Sequence, residues 1–302
     1  MRIVSLLASA TEIVCALGLR DTLVGRSHEC DFPAAVRELP RCTDPAINVE
    51  GSSADIDRAV RAAARGALSI YRVDEGRLAD LQPDVVLTQT QCEVCAVSLK
   101  DVEAALAKLT RRDTRVVALS PNRLEDVYDD VRRVASALGV EGHGRALILS
   151  MRRRLAALAA RVELLDRPKV AVLEWLDPLL AAGHWIPELV MLAGGRDAFG
   201  VVGARGPWLS TERLREADPD VIVAAPCGFP MVRARPELAA LAATPAWREL
   251  RAVRDGRVVV ADGNQFFNRP GPRLVETAEI LAEILHPELR FGHEGAAWRR
   301  LG

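Results

Sequence analysis

Arg77–Leu87 reads RLADLQPDVVL, and Arg213–Val223 reads RLREADPDVIV. Each is a short helix closed by a Gln-Pro-Asp or Asp-Pro-Asp turn and followed by a β-branched apolar run. Proline stops the helix and aspartate opens a strand buried on both faces. Each strand then enters a polar, cysteine-containing loop, TQTQCEVC in the first case and APCGF in the second. A unit repeated once in 302 residues predicts two similar α/β lobes rather than one core. Loops after parallel strands face the crevice where open α/β sheets bind ligands, so a cleft shared by the lobes is expected.

The remaining pattern agrees. Strand–helix alternation in both halves predicts parallel sheets flanked by helices. The spacing assigns strands to Ile3–Leu7, Leu23–Arg26, Val85–Leu87, Val116–Leu119, Val170–Leu173, Val221–Ala225 and Val258–Ala261. Helices are expected at Ala10–Leu17, Asp55–Ala64, Leu99–Leu109, Leu124–Leu138, Ile186–Leu192, Thr211–Glu216 and Leu274–Leu285, with further helices around Leu238 and Trp247. Ser9 and Glu12 form a capping box before the first of these. From Glu141 to Leu165, Leu147, Leu149, Met151, Leu155, Leu158, Val162 and Leu165 give one long amphipathic helix. Twenty of its residues would span about 30 Å. The expected organisation is an N-terminal lobe over 1–140, a connecting helix over 141–167 and a C-terminal lobe over 168–302.

Composition removes several functions. Net charge is −1, without the basic run of a nucleic-acid binder. No GKS or GKT exists, so a Walker-type phosphate loop is excluded. No serine–histidine–acid set, glycine-rich nucleotide loop or paired-carboxylate motif stands out, which favours binding over catalysis. No apolar stretch approaches the roughly 18 residues needed to span a bilayer. Arg2 to Ala10 mimics a signal peptide, but its apolar core is shorter than the usual range of about 7–15 residues. A cytoplasmic location is expected; the alternative is an exported receptor whose signal is not in this sequence. Six cysteines are too few for a disulfide scaffold.

The blocks RIVSLLASATEIVCALG, VGRSHECDFP, LADLQPDVVLTQ, LLAAGHWIPELVMLAGGRDAF, PWLSTERL and NQFFNRPGPRLVE together resemble the helical-backbone class of substrate-binding proteins, which serve vitamin B12, haem, siderophore and metal uptake. The similarity is to the cobalamin-binding branch, in versions without a signal peptide. It implies non-catalytic binding of a cobalamin or other corrinoid between the lobes. By position, Trp208 resembles a tryptophan that packs on the corrin ring, and Trp175 matches an aromatic cleft position. Tyr71 falls where vitamin-binding members often have tryptophan, and Phe266 and Phe267 lie near another aromatic loop. Gln89, Gln91, Asn264 and Gln265 are candidate polar contacts, and His184 either caps a helix or touches ligand. Large rigid side chains suit a flat macrocycle. Transport members also carry a carboxylate on each lobe tip to meet an ABC permease. Glu212 holds the second-lobe position. Gly76 holds the first, with Glu75 as its neighbour.

His28, Cys30, Cys92 and Cys95 fit a tetrahedral site for zinc, iron or another soft metal. Cys92 and Cys95 also precede a helix and could form a redox pair, or all these thiols are inert. His28 could instead coordinate the metal of the ligand. A metal- or haem-handling thiol protein is therefore the rival reading. Cys15 is expected in the core, Cys42 and Cys227 are uncommitted, and His143, His286 and His293 are expected at the surface.

Overall fold

The computed structural model describes residues 1–66, 69–90, 99–106 and 113–302. The chain forms two compact units. Unit 1 comprises Met1–Gly51, Asp55–Pro121 and Glu125–Ser150; unit 2 comprises Ser52–Ala54, Asn122–Leu124 and Met151–Gly302.

Through the first half run β1 (Ile3–Ser5), α1 (Ala8–Ala16), β2 (Leu23–Arg26), β3 (Thr43–Pro45), α2 (Ser53–Arg65), β4 (Tyr71–Val73), α3 (Glu75–Leu81), β5 (Val85–Gln89), α4 (Leu99–Leu106), β6 (Arg115–Leu119), α5 (Leu124–Ala137) and α6 (Glu141–Val162). The main sheet has the order β2-β1-β5-β6, and every pair in it is parallel. β1 and β5 are buried along their whole length, whereas edge strand β2 alternates, as sheet position requires. β3 and β4 form a separate antiparallel pair.

The second half contains β7 (Lys169–Leu176), β8 (Leu179–Ala181), α7 (Ile186–Leu192), β9 (Arg196–Asp197), α8 (Thr211–Ala217), β10 (Val221–Ala224), α9 (Met231–Ala242), α10 (Pro245–Arg248), α11 (Arg251–Arg254), β11 (Val258–Ala261), α12 (Leu274–Leu285) and β12 (Trp298–Arg300). Its sheet runs β12-β11-β10-β7-β8, with β9 also on β7. β9, β7, β10 and β11 pair in parallel. β8 and β12 are antiparallel additions to this otherwise parallel sheet. β8 is the return arm of a hairpin from β7, and the two arms are separated by Asp177-Pro178, a dipeptide that favours turns.

The sequence repeat is a structural repeat. Asp74 caps α3 by accepting from Arg77 N–H at 2.8 Å, and Ser210 caps α8 by accepting from Arg213 N–H at 3.2 Å. Both helices end on a left-handed residue, Gln82 (φ 44°) and Asp218 (φ 41°). The aspartate after each proline then clasps the neighbouring strand. Arg2 N–H donates to Asp84 Oδ2 at 2.6 Å, and Lys169 N–H donates to Asp220 Oδ2 at 2.6 Å.

Other expectations fail for identifiable reasons. There is no Ser9–Glu12 capping box: α1 starts at Ala8 with Leu7 as its cap residue. The small residues Ala8, Ser9 and Ala10 continue into the core, and Ser9 Oγ is buried without a hydrogen-bond partner among the described residues. On α6, Leu149 is exposed while Ile148, Met151, Leu155, Leu158 and Val162 are buried, because Ile148 continues the three–four spacing of the inward face. His286 is a core residue, with Nε2 3.0 Å from Ala193 O. Cys15 is only part-buried. No helix among the described residues is long and apolar enough to cross a membrane.

Candidate functional site

At the C-terminal ends of its parallel strands, unit 2 gathers three loops. The chain leaving β10 bonds to that of β7: Ala225 N–H donates to Leu173 O at 2.9 Å and Cys227 N–H to Glu174 O at 3.0 Å. The turn after β11, Gly263–Phe267, is capped by Asp262, whose Oδ1 accepts from Gln265 N–H at 2.7 Å. That turn is tied to the β10 loop through Asn264 N–H to Phe229 O at 3.2 Å and Asn268 Nδ2 to Ala225 O at 3.1 Å. Gly263 is required there, since a Cβ would stand 2.1 Å from Pro226 O.

On this frame sits a ladder of π systems and guanidinium groups. Trp175 meets Phe229 at 5.3 Å between centroids in an edge-on contact, and the Arg233 guanidinium lies 3.8 Å from the Phe229 centroid; Phe229 is 2% exposed, so it supports these two side chains and does not itself face solvent. Trp175 Nε1 donates to Asp177 O at 3.1 Å, which fixes the indole. Arg273 lies 5.2 Å from the Phe266 centroid and donates to Gln265 Oε1 at 2.9 Å. Arg269 is buried and donates to Asn264 Oδ1 at 2.9 Å. Trp208 is 45% exposed and is held by a backbone bridge to Leu180. The partly exposed rings of Trp175, Trp208 and Phe266 beside guanidinium groups can hold a flat ligand through its faces and its polar substituents.

Not every aromatic expected here is available. Phe267 is 1% exposed, with its carbonyl accepting from Trp185 Nε1 at 3.1 Å. It is a core residue because the tight turn points alternate neighbours in and out, leaving Phe266 part-buried. His184 adopts φ 54° and stacks at 5.8 Å on Trp185. Its Nδ1 is buried without a partner among the described residues, and burial lowers its pKa. Phe229 and Arg233 were missed from the sequence. The GFP tripeptide following Cys227, in the loop that mirrors TQTQ, was the available signal.

Unit 1 presents polar groups at the equivalent strand ends. His28, two residues beyond β2, has Nδ1 2.8 Å from Thr43 Oγ1 and a ring 5.2 Å from that of Tyr71. Tyr71 Oη donates to Glu29 Oε1 at 3.4 Å. Burial, reinforced by repulsion from Arg41, brings the His28 pKa down to about 4, so the imidazole is neutral. Gln89, the last residue of β5, is buried.

Cys30 is 1% exposed; its sulfur accepts from Thr11 Oγ1 at 3.0 Å and faces Ser5 O at 3.8 Å. Cys30 is therefore packed into the core of unit 1. Cys42 is also buried, which pushes its thiol up to about 12. Gln91, Cys92 and Cys95 lie outside the described residues. Among the described residues, no group of three or more His, Cys, Asp or Glu could hold a metal ion. Glu75 and Glu212 are exposed in the first turns of α3 and α8. Counting from the two caps, Gly76 rather than Glu75 corresponds to Glu212.

Comparison with known proteins gives a consistent result. A family model described as periplasmic binding protein matches residues 3–264. An uncharacterized ABC transporter substrate-binding lipoprotein of Bacillus subtilis is 25% identical, over 95% of this chain and 80% of its own length. The vitamin B12-binding protein of Vibrio cholerae is 24% identical, over 94% and 88%. Among solved structures, a periplasmic heme binding protein from Pseudomonas aeruginosa superposes with a TM-score of 0.72 at 24% identity, covering 96% of this chain and 94% of that one. The periplasmic vitamin B12 binding protein of Vibrio cholerae gives 0.64 at 22%, covering 94% and 96%. With this fold and a family match over most of its length, the chain belongs to the periplasmic binding protein family, whose members bind solutes and are not catalysts.

Proposed function

We propose that this chain is a substrate-binding protein of the ABC-transporter type that takes a flat metal chelate, a cobalamin-type corrinoid in the first place. The observation that carries the reading is part-buried Trp175, backed by buried Phe229 and the Arg233 guanidinium, with Trp208 exposed nearby. Such a surface buries a macrocycle face at little entropic cost, because indole and phenyl rings have few torsions to freeze. Relatives named for B12 binding and a solved neighbour named for heme binding support the ligand class. Haem is the second reading, supported by the neutral imidazole of His28 next to Tyr71. Burial and hydrogen bonding of Cys30 do not favour a role in thiol redox chemistry.

If the chain delivers its ligand to a permease, Glu212 is the residue placed for a basic partner. Its carboxyl is held below the usual range by hydrogen bonds from its own backbone N–H and from Ser210. Gly76 at the corresponding unit 1 position leaves docking one-sided. A cytoplasmic location remains part of this proposal, and cell fractionation tests it.

Isothermal titration calorimetry with cyanocobalamin and with ferric haem tests the function. Binding of the corrinoid at micromolar concentration or tighter is expected, with Trp208→Ala weakening it by about 1–3 kcal/mol, as central aromatic contacts do. Absence of binding to both chelates contradicts the reading.

A further inference from the structure

Ser53 comes from the first half of the chain, yet Ser52–Ala54 is part of unit 2, and its contacts lead to the site. Ser53 is fully buried and opens α2. Its backbone N–H therefore belongs to the first helical turn, where no helical carbonyl accepts from it. The carboxylate of Glu237, on α9, accepts that N–H instead, at 3.1 Å through Oε1 and 3.3 Å through Oε2. Ser53 Oγ donates to Glu237 Oε2 at 2.5 Å. The direction of each bond is set by the groups themselves, since an amide N–H only donates and a carboxylate only accepts. A negative charge at the start of a helix is also favoured by the helix dipole.

The residue gripped in this way carries the carbonyl that Trp175 uses. The indole Nε1 lies 3.2 Å from Ser53 O and 3.1 Å from Asp177 O, one N–H shared between two acceptors. Asp177 is exposed and stands two residues along the same loop, so that bond ties the indole to its own segment. Ser53 is buried and distant in sequence, and its bond ties the indole to a fixed point. One turn before Glu237 on α9 is Arg233, whose guanidinium covers Phe229, and Phe229 meets Trp175 edge-on. α9 thus steadies the indole by two routes, a ring contact through Phe229 and a hydrogen bond through Ser53. An aromatic held in one orientation before a ligand arrives leaves less ordering to be done on binding.

We propose that Glu237 and Ser53 are positioning residues for the ligand-binding indole: α9 grips Ser53, and the Ser53 carbonyl sets Trp175 in the orientation that receives a ligand. The inference rests on the reading above, in which Trp175 faces the ligand. It adds a pair of residues that touch no ligand and still govern its affinity.

Hydrogen exchange of the free, full-length chain reads the grip, and calorimetry with cyanocobalamin reads its consequence; ferric haem takes its place if haem alone is bound. Glu237→Ala should speed exchange in peptides covering 50–56 and 174–178. It should also weaken the ligand about three- to tenfold, the effect of losing one orienting hydrogen bond. Glu237→Gln should restore both readings, because its amide oxygen accepts from Ser53 N–H and its NH2 donates to Ser53 Oγ. In a Trp175→Phe background, where the ring has no N–H to hold, Glu237→Ala should cause no further loss of affinity.

Unchanged exchange at both segments in Glu237→Ala overturns the proposal, as does wild-type or tighter binding by that variant. A loss of equal size with Trp or Phe at position 175 places the effect of Glu237 elsewhere and overturns it too. Where Glu237→Ala does not fold, Glu237→Asp, which keeps the charge and draws it back by one methylene, is read in the same way. If the wild-type chain binds neither cyanocobalamin nor ferric haem, the functional reading falls and the proposal with it. If ligand is bound and only the Glu237 variants fail to respond, the reading stands and the proposal alone falls.

Discussion

Units 1 and 2 are built on the same helix–turn–strand piece and finish it in opposite ways. In unit 2 the loops leaving β7, β10 and β11 are bonded to one another, and their rings meet edge-on and carry guanidinium groups over their faces. In unit 1 the group at the end of β2 is polar: an imidazole, a phenol, a carboxylate and two hydroxyls. The scaffold is dictated by backbone geometry, since a proline stop and an aspartate clasp are needed wherever this strand begins. The strand-end loops are free of that constraint, and there the units diverge toward stacking in one and directed polar contact in the other.

The sharpest way to break this contrast is to attack the rim of unit 2. Phe267→Ala should cost about 3–5 kcal/mol of stability as a buried aromatic truncation, whereas Phe266→Ala one residue away should cost under about 1 kcal/mol and act on binding. Chemical denaturation of both variants measures it, and equal losses would mean that the turn does not sort these rings.

Next in size are the two clasps. Asp220→Ala should lose about 1.5–3 kcal/mol, the range for a hydrogen bond to a charged group, because Asp220 also pairs with Arg251 at 2.7 Å. Asp84→Ala, at a more exposed site, should lose about 1 kcal/mol. The reverse order in urea melts would show that unit 1 depends more on the repeat than unit 2.

Asp130 of unit 1 gives a smaller, pH-dependent effect. Burial pushes its carboxyl up to about 7 despite Arg133 at 3.2 Å. Between the unfolded value near 3.8 and about 7, the folded state binds the extra proton, so stability falls as pH rises through this window. Asp130→Asn should flatten that slope and gain on the order of 1–3 kcal/mol at pH 8, the cost of a buried charge incompletely paired. Thermal melts from pH 4 to 8 check it; parallel curves for variant and wild type would contradict it.

The smallest effect concerns unit 2. Hydrogen bonding to Glu279 raises the His293 pKa. Its contribution is full below the unfolded value near 6.5 and is lost as pH rises through the higher folded value. His293→Gln should remove less than about 1 kcal/mol, and only on the acidic side.

The sequence made the scaffold readable through punctuation. Pro83, Pro219, Gly18, Gly194 and Pro187 each set an element end by a backbone rule, and α7, β11 and α12 have the expected bounds. It was silent where tertiary packing decides. Ser9 looked like a cap, but burial drew it into the helix. His286 looked like surface because nothing local announces that Ala193 O waits for it. Of the candidate site, His28 stands out as a residue type just beyond a strand, whereas Trp175 and Trp208 were reached through the family resemblance. Phe229, Arg233 and Thr43 matter through partners distant in sequence, which a linear pattern does not reveal.

Hydrogen–deuterium exchange with and without cyanocobalamin tests most directly whether the strand-end loops bind the ligand. Protection is expected at residues 174–178, 226–233 and 262–268 of unit 2, with the helix starts at Asp74 and Ser210 unchanged. Ligand bound by calorimetry, with protection confined to other surfaces, would contradict the assignment of the site.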